Sequence, residues 1–219
     1  MTTKKADAKA AATTENKSDS NTITIRKLDR RQVAVTIDGT TPLITHRFDE
    51  KMKRQIAEKQ QGGKRTRLRD SRDPEAECEA AAYRLANGSY GFPATTIKNA
   101  IISAANKDLG VPKTTIYRAL FVLADQPPTT ALPPLVKLAL GGPPKMREDV
   151  VRVGMGSADL RYRPEFFPWS IALRLEYDAD FLNPETIFNL IERAGYGVGI
   201  GEWRPECSGE FGRFEVSRS

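Results

Sequence analysis

The chain has 219 residues, of which 39% are hydrophobic and 28% charged, with a formal charge of +6. That length can bury a real core, and the absence of any run of about 18 apolar residues argues against a membrane-spanning helix. A single His and two separated cysteines, Cys78 and Cys207, do not make a zinc site of the usual kind, so neither metal nor cofactor is expected.

Residues 1–21, MTTKKADAKAAATTENKSDSN, show no apolar period and almost no large side chain. They cannot bury enough surface to offset ordering entropy and are read as a disordered tail. The tail has no apolar stretch of the kind a signal peptide needs. A single domain is expected over 22–219, with insertions at about 49–90 and 141–168. In residues 31–38 the alternation of Val33, Val35 and Ile37 with polar neighbours predicts a half-buried strand. Residues 42–48 read as extended, and Asp49 is placed to cap a charged surface helix that ends at Gly62-Gly63. A mobile basic loop follows, then a short helix over 74–85 with Pro at its start. Asn87-Gly88 is a strong hairpin signal.

The spacing of Ile97, Ala100, Ile101, Ala104 and Ala105 predicts a helix capped by Thr95 or Thr96 and stopped by Gly110. Residues 117–123 and 135–140 read as buried strands on either side of a Pro-rich link. A hairpin is expected around Gly154 and Gly156, with basic arms that include Arg161 and Arg163. Residues 169–177 alternate clearly as a strand, and Asn183-Pro184 opens a helix with Ile187, Leu190 and Ile191 facing inward. A glycine-rich loop over 197–210 leads to a last strand at 211–216. Without its insertions this order is βαββαβ. The expected fold is therefore α+β with a modified ferredoxin-like or RRM-like core, an antiparallel sheet carrying its helices on one face.

Positive charge is concentrated. Residues 51–72 hold nine basic residues against Glu58 and Asp70, which exceeds the excess of the whole chain. Such a segment fits a polyanion partner or a solvated charged loop. Lys64, Arg65, Arg67, Arg69 and Arg72 are the candidate contacts, and Arg65, Arg67 and Arg69 alternate so that an extended chain would turn them to one side.

Two segments resemble the RAMP superfamily, the repeat-associated RNA-binding proteins of CRISPR systems. One is GFPATTIKNAIISAA, with Phe92, Pro93, Thr95, Thr96 and Lys98 ahead of a helix; the other is GVGIGEWRPECSGEFGRFEV, a glycine-rich loop before a last strand. Within that superfamily the chain looks most like the CRISPR RNA-binding backbone subunits, and like solitary phage-borne relatives of them. The resemblance implies a non-enzymatic subunit that coats single-stranded nucleic acid, RNA before DNA, as a homo-oligomer or helical filament. The place implied is the cytoplasm, that of a bacterial host if the protein is phage-encoded, with no membrane partner. Alternatives are a phage ssDNA-binding or recombination accessory protein and a metal-independent endoribonuclease.

The expected contacts are the backbone donors and side chains of Thr95, Thr96 and Lys98 at a helix start, the hairpin arginines Arg161 and Arg163, and Arg204 and Arg213 of the last loop. Gly197, Gly199, Gly201, Gly209 and Gly212 would let the backbone approach phosphate or a neighbouring subunit. Glu202, Glu206 and Glu210 in the same loop dilute its charge, which brings subunit packing into contention. His46 is the one candidate general base, although a hydrogen-bonded turn histidine is the commoner role. Asp49 and Glu50 are read as helix-cap residues. Tyr162, Phe166, Phe167 and Trp169 could stack on bases or pack against protein.

Overall fold

The structure is a computed structural model. It describes residues 26–47, 72–153 and 157–217. In chain order these form β1 (Arg30–Gly39), β2 (Leu43–Ile44), α1 (Pro74–Ala80), β3 (Tyr83–Arg84), β4 (Tyr90–Pro93) and α2 (Ala94–Leu109). Next come α3 (Lys113–Ala119), β5 (Leu120–Leu123), β6 (Leu135–Lys137), β7 (Ala139–Leu140), β8 (Lys145–Val153) and β9 (Ser157–Phe166). The chain continues through β10 (Trp169–Asp178), α4 (Pro184–Arg193) and β11 (Phe214–Val216).

The central sheet is antiparallel, in the order β11-β1-β10-β5, with β7 paired to the start of β10. β1 and β10 form its spine, in register from Arg30 opposite Asp178 to Asp38 opposite Ser170. The alternation in these strands has the expected physical result. Val35, Ile37, Ile171, Leu173 and Leu175 are buried on one face, and Ala34, Thr36, Ala172 and Arg174 are exposed on the other. The buried face shares one apolar cluster with Ile97, Ile101 and Ala104 of α2 and with Ile187, Leu190 and Ile191 of α4. Two smaller antiparallel sheets, β2-β9-β8 and β3-β4-β6, complete the strand pairing among the described residues.

The helix ends show where sequence signals sufficed. Asn183 accepts from the Thr186 N–H, and Gly110 takes a left-handed conformation (φ 68°) past the end of α2. Other expectations are corrected. α2 begins at Ala94 with Pro93 in the cap position, so neither Thr95 nor Thr96 caps it. β4 runs straight into the helix, and the Ala94 N–H donates to the Pro134 carbonyl instead. The strand expected at 117–123 is α3 followed by β5. Pro112 opens the helix, Ile116 and Ala119 are buried at helical spacing, and strand pairing starts only at Leu120.

The helix expected over 74–85 stops at Ala80, because Tyr83 and Arg84 pair with Gly91 and Tyr90. The last strand is shortened to Phe214–Val216, since Gly212 turns the chain at φ 66°. The expected extended segment 42–48 is strand only at β2, and the helix expected after Asp49 lies outside the described residues.

Candidate functional site

The β8–β9 hairpin sets Arg147 directly opposite Arg163. Two like charges in that position repel unless an acid lies close by. Asp149, two residues along the same face, supplies it. Its Oδ1 accepts from Arg147 Nε at 2.8 Å and its Oδ2 from Arg163 Nη2 at 2.7 Å. Arg147 Nη1 also donates to Glu165 at 2.9 Å. Arg163 is 1% exposed, its Nη1 is 3.5 Å from Glu202, and its guanidinium lies 4.5 Å from the centre of the Trp203 ring. Arg163 therefore has no surface to offer a phosphate. It fastens the hairpin to the C-terminal loop.

That loop is held by its own acids and backbone. Arg204 donates from Nε and Nη2 to Glu206 and from Nη1 to the Gly201 carbonyl. Glu206 also accepts from Ser103 Oγ at 2.6 Å and from Lys107 Nζ at 2.9 Å, both on α2. These donors hold the Glu206 carboxyl down at about 2, the Ser103 hydroxyl contributing most, against the opposing effect of burial. Arg213 lies 5.1 Å from the Tyr196 ring centre and 3.9 Å from Glu210.

The glycines meet the chain itself. A Cβ at Gly212 would overlap the Ile200 carbonyl oxygen, and one at Gly209 the Trp203 carbonyl oxygen. Gly199 and Gly201 both have positive φ, and a side chain at Gly201 would press on the Ile44 carbonyl at 2.5 Å. Gly197 alone of the five has open space at its Cβ position. Four of the five glycines thus lie against atoms of this chain itself, at Gly201, Gly209 and Gly212 a backbone carbonyl and at Gly199 the Pro205 ring.

Beside this clasp stands the root of the basic segment. Lys64, Arg65, Arg67 and Arg69 lie outside the described residues; Arg47 and Arg72 flank the segment that contains them. Arg72 is spent on Glu77 at 3.2 Å and Asp159 at 3.0 Å. Thr45 Oγ1 and the Arg47 N–H both donate to the Ala81 carbonyl, which sets residues 45–47 alongside 81–83. Burial raises the Tyr83 phenol, and the charge of Arg47 partly offsets it. Arg161 Nη1 lies 3.5 Å from His46 Nε2. The buried Nε atoms of Arg47 and Arg161 find no hydrogen-bond acceptor among the described residues, although Arg161 Nε lies 3.9 Å from Asp159.

Lys98, expected to meet phosphate, donates to the Tyr117 carbonyl at 2.9 Å. Thr95 is exposed and Thr96 half-buried on the first turn of α2. Among the aromatics, Phe166 and Trp169 are buried, Trp169 donating to the Thr41 carbonyl at 2.8 Å. Tyr162 is half-buried and Phe167 is exposed.

Asp149 and Trp203, which organise the hairpin cluster, were not singled out by sequence reasoning. The usable signal was the alternation Arg147-x-Asp149 facing Arg161-x-Arg163-x-Glu165 across a predicted hairpin. Among the described residues there is no cluster of three metal-binding side chains, and no helix is long and apolar enough to cross a membrane.

No protein-family model matches this chain, and no curated protein matches it. Among solved structures it is similar to the crystal structure of Cmr6 from Pyrococcus furiosus, at 10% identity and a TM-score of 0.43, over 87% of this chain and 100% of that one. It is also similar to a chain in the cryo-EM structure of the Type III-B Cmr-beta bound to cognate target RNA. There the identity is 13% and the TM-score 0.44, over 86% of this chain and 59% of the other.

Proposed function

We propose that this chain binds single-stranded nucleic acid, RNA in preference to DNA, and coats it as a repeated subunit without cutting it. The observation that carries the reading is the segregation of charge. Residues 51–72 hold nine basic residues against two acidic ones. Outside that segment, arginines such as Arg147, Arg163 and Arg204 are tied to acids of the same chain. A segment with such a surplus of positive residues binds a polyanion by releasing its counterions.

The core reading is a modified ferredoxin-like arrangement of the RAMP kind. It is supported by the strand order β11-β1-β10-β5, with α2 lying between β1 and β5 in sequence and α4 between β10 and β11. Purification without nuclease, followed by absorbance ratio and particle size, tests binding and coating together. In a salt titration on oligouridine, the affinity should fall steeply. Replacing Arg65, Arg67 and Arg69 with Gln should flatten the log–log slope by about 2. A flat salt dependence in the wild type overturns the reading, and tighter binding to oligo-dT than to oligouridine redirects it to a phage ssDNA-binding role.

A second reading, metal-independent RNA cleavage, has the 3.5 Å approach of Arg161 to His46 in its favour, which brings a cation beside a potential base. RNA that is cut by the wild type and left intact by His46→Ala supports cleavage. RNA left intact by both supports binding alone.

A further inference from the structure

α3 and β5 hold two aromatic rings at the surface. Tyr117 is 56% exposed and Phe121 46%. β5 is an edge of the central sheet, and Phe121 sits on its outer face opposite Glu176, while its neighbour Leu120 is buried. Lys98 reaches both rings from the second turn of α2. Its Nζ lies 4.5 Å from the Tyr117 centroid and 4.0 Å from that of Phe121. The π faces hold the ammonium electrostatically, and partial burial lowers its pKa. None of its contacts is a carboxylate among the described residues.

Lys113 and Arg118, both exposed on α3, likewise make no ion pair among the described residues. Arg118 lines a groove of about 320 Å³ together with the exposed apolar side chains Leu28 and Phe181. Asp178 is the acid on that groove. The corner therefore combines two exposed rings, with Lys98 against one side of them, and three cations that make no ion pair among the described residues, Asp178 being the acid nearest to hand. A packed interior explains neither the exposure nor the surplus charge. A peptide could cover the rings but would leave the cations unpaired unless it was also acidic. A single strand of nucleic acid brings a π face and a phosphate in every unit.

We propose that Tyr117 and Phe121, with Lys98 against them and Lys113 and Arg118 on the same helix α3 as Tyr117, form a platform on which bases of single-stranded nucleic acid stack. The proposal rests on the nucleic-acid reading above and adds a second kind of contact at a second place: ring to base, apart from the charge-to-phosphate contacts of residues 51–72. Stacking of this kind tolerates any base, because every base has a π face.

The test uses the full chain and a short oligouridine carrying one 2-aminopurine, whose fluorescence is quenched by stacking. Tyr117→Leu and Phe121→Leu keep an apolar side chain and remove the π face. Each should weaken binding about 5-fold or more, abolish part of the quench and leave the salt slope unchanged. The Arg65, Arg67 and Arg69 to Gln variant should do the reverse, flattening the slope while keeping the quench. If both Leu variants bind and quench like the wild type while the salt slope is intact, the platform is overturned and the nucleic-acid reading stands. If the wild type shows no salt-dependent binding at all, that reading falls and takes the platform with it.

Discussion

The β8–β9 hairpin and the α3–β5 corner treat positive charge in opposite ways. In the hairpin, Arg147 and Arg163 converge on Asp149 and lean on Trp203, Arg163 fully buried and Arg147 half-buried. At the corner, Lys98 also meets aromatic rings, but no acid accompanies it and the rings stay exposed. A cation against a ring has one meaning when a carboxylate closes the set and another when it does not. Neutralised pairs are structure; unneutralised ones remain available to a ligand. Counting basic residues along a sequence cannot tell the two apart, whereas counting their acidic partners in space can.

Three substitutions sharpen this contrast. The largest effect is expected at Arg163. Arg163→Leu leaves Asp149 buried with one cation fewer, which should cost about 3 kcal/mol in urea unfolding. That is the low end for a broken buried pair, because Arg147 still donates to Asp149. Adding Asp149→Leu should recover much of the loss, since Arg147 keeps Glu165. A single variant that unfolds like the wild type would mean that the hairpin does not depend on this pair.

A smaller, pH-dependent effect is expected at Glu206. Its carboxyl is held at about 2, below the ordinary carboxylate value, so its stabilisation is fully present above the unfolded-state value and is lost as pH falls toward 2. Glu206→Gln should therefore cost about 1 kcal/mol near neutral pH, reduced by solvent screening of a partly exposed group. Melting curves of variant and wild type should converge as the pH is lowered through that range; a gap that stays constant with pH would break the assignment.

The smallest effect is expected at Lys98. Lys98→Met removes only the ring contacts and one backbone hydrogen bond, and should change stability by no more than about 1 kcal/mol. A loss comparable to that at Arg163 would place the corner with the hairpin, as structure.

Much of the fold was legible in the sequence because its signals were local. The period-two runs in β1 and β10, the Asn183-Pro184 start of α4 and the Gly110 stop of α2 all appear where the residues put them. α3 was misread because YRALFVL is rich in strand-favouring residues, and its helical half is identified only by Pro112 and by the burial of Ile116 and Ala119. The site was less legible. Whether an arginine faces water depends on where its acid sits, and the partners come from afar: Asp149 reaches Arg163 across a hairpin, and Glu206 reaches Ser103 and Lys107 from about a hundred residues away. The glycine loop stands out in the sequence, but the atoms crowding Gly199, Gly201, Gly209 and Gly212 belong to the loop itself and to Ile44 and Leu43, about 160 residues earlier.

The C-terminal loop closes on the segment just after β1. The Glu202 N–H donates to the Ile44 carbonyl, the Gly212 N–H to the Pro42 carbonyl and the Thr40 N–H to the Arg213 carbonyl. Among the described residues β1 pairs only with β10 and β11, both more than a hundred residues further on. During synthesis, β1 therefore waits on the ribosome without these partners while the intervening chain emerges. Its edges are sealed only when residues 169–178 and then 200–216 arrive. Such late, long-range closure makes for slow folding and a long exposure of β1 to wrong pairing. A nascent chain halted before β10 should therefore be the species most in need of a chaperone.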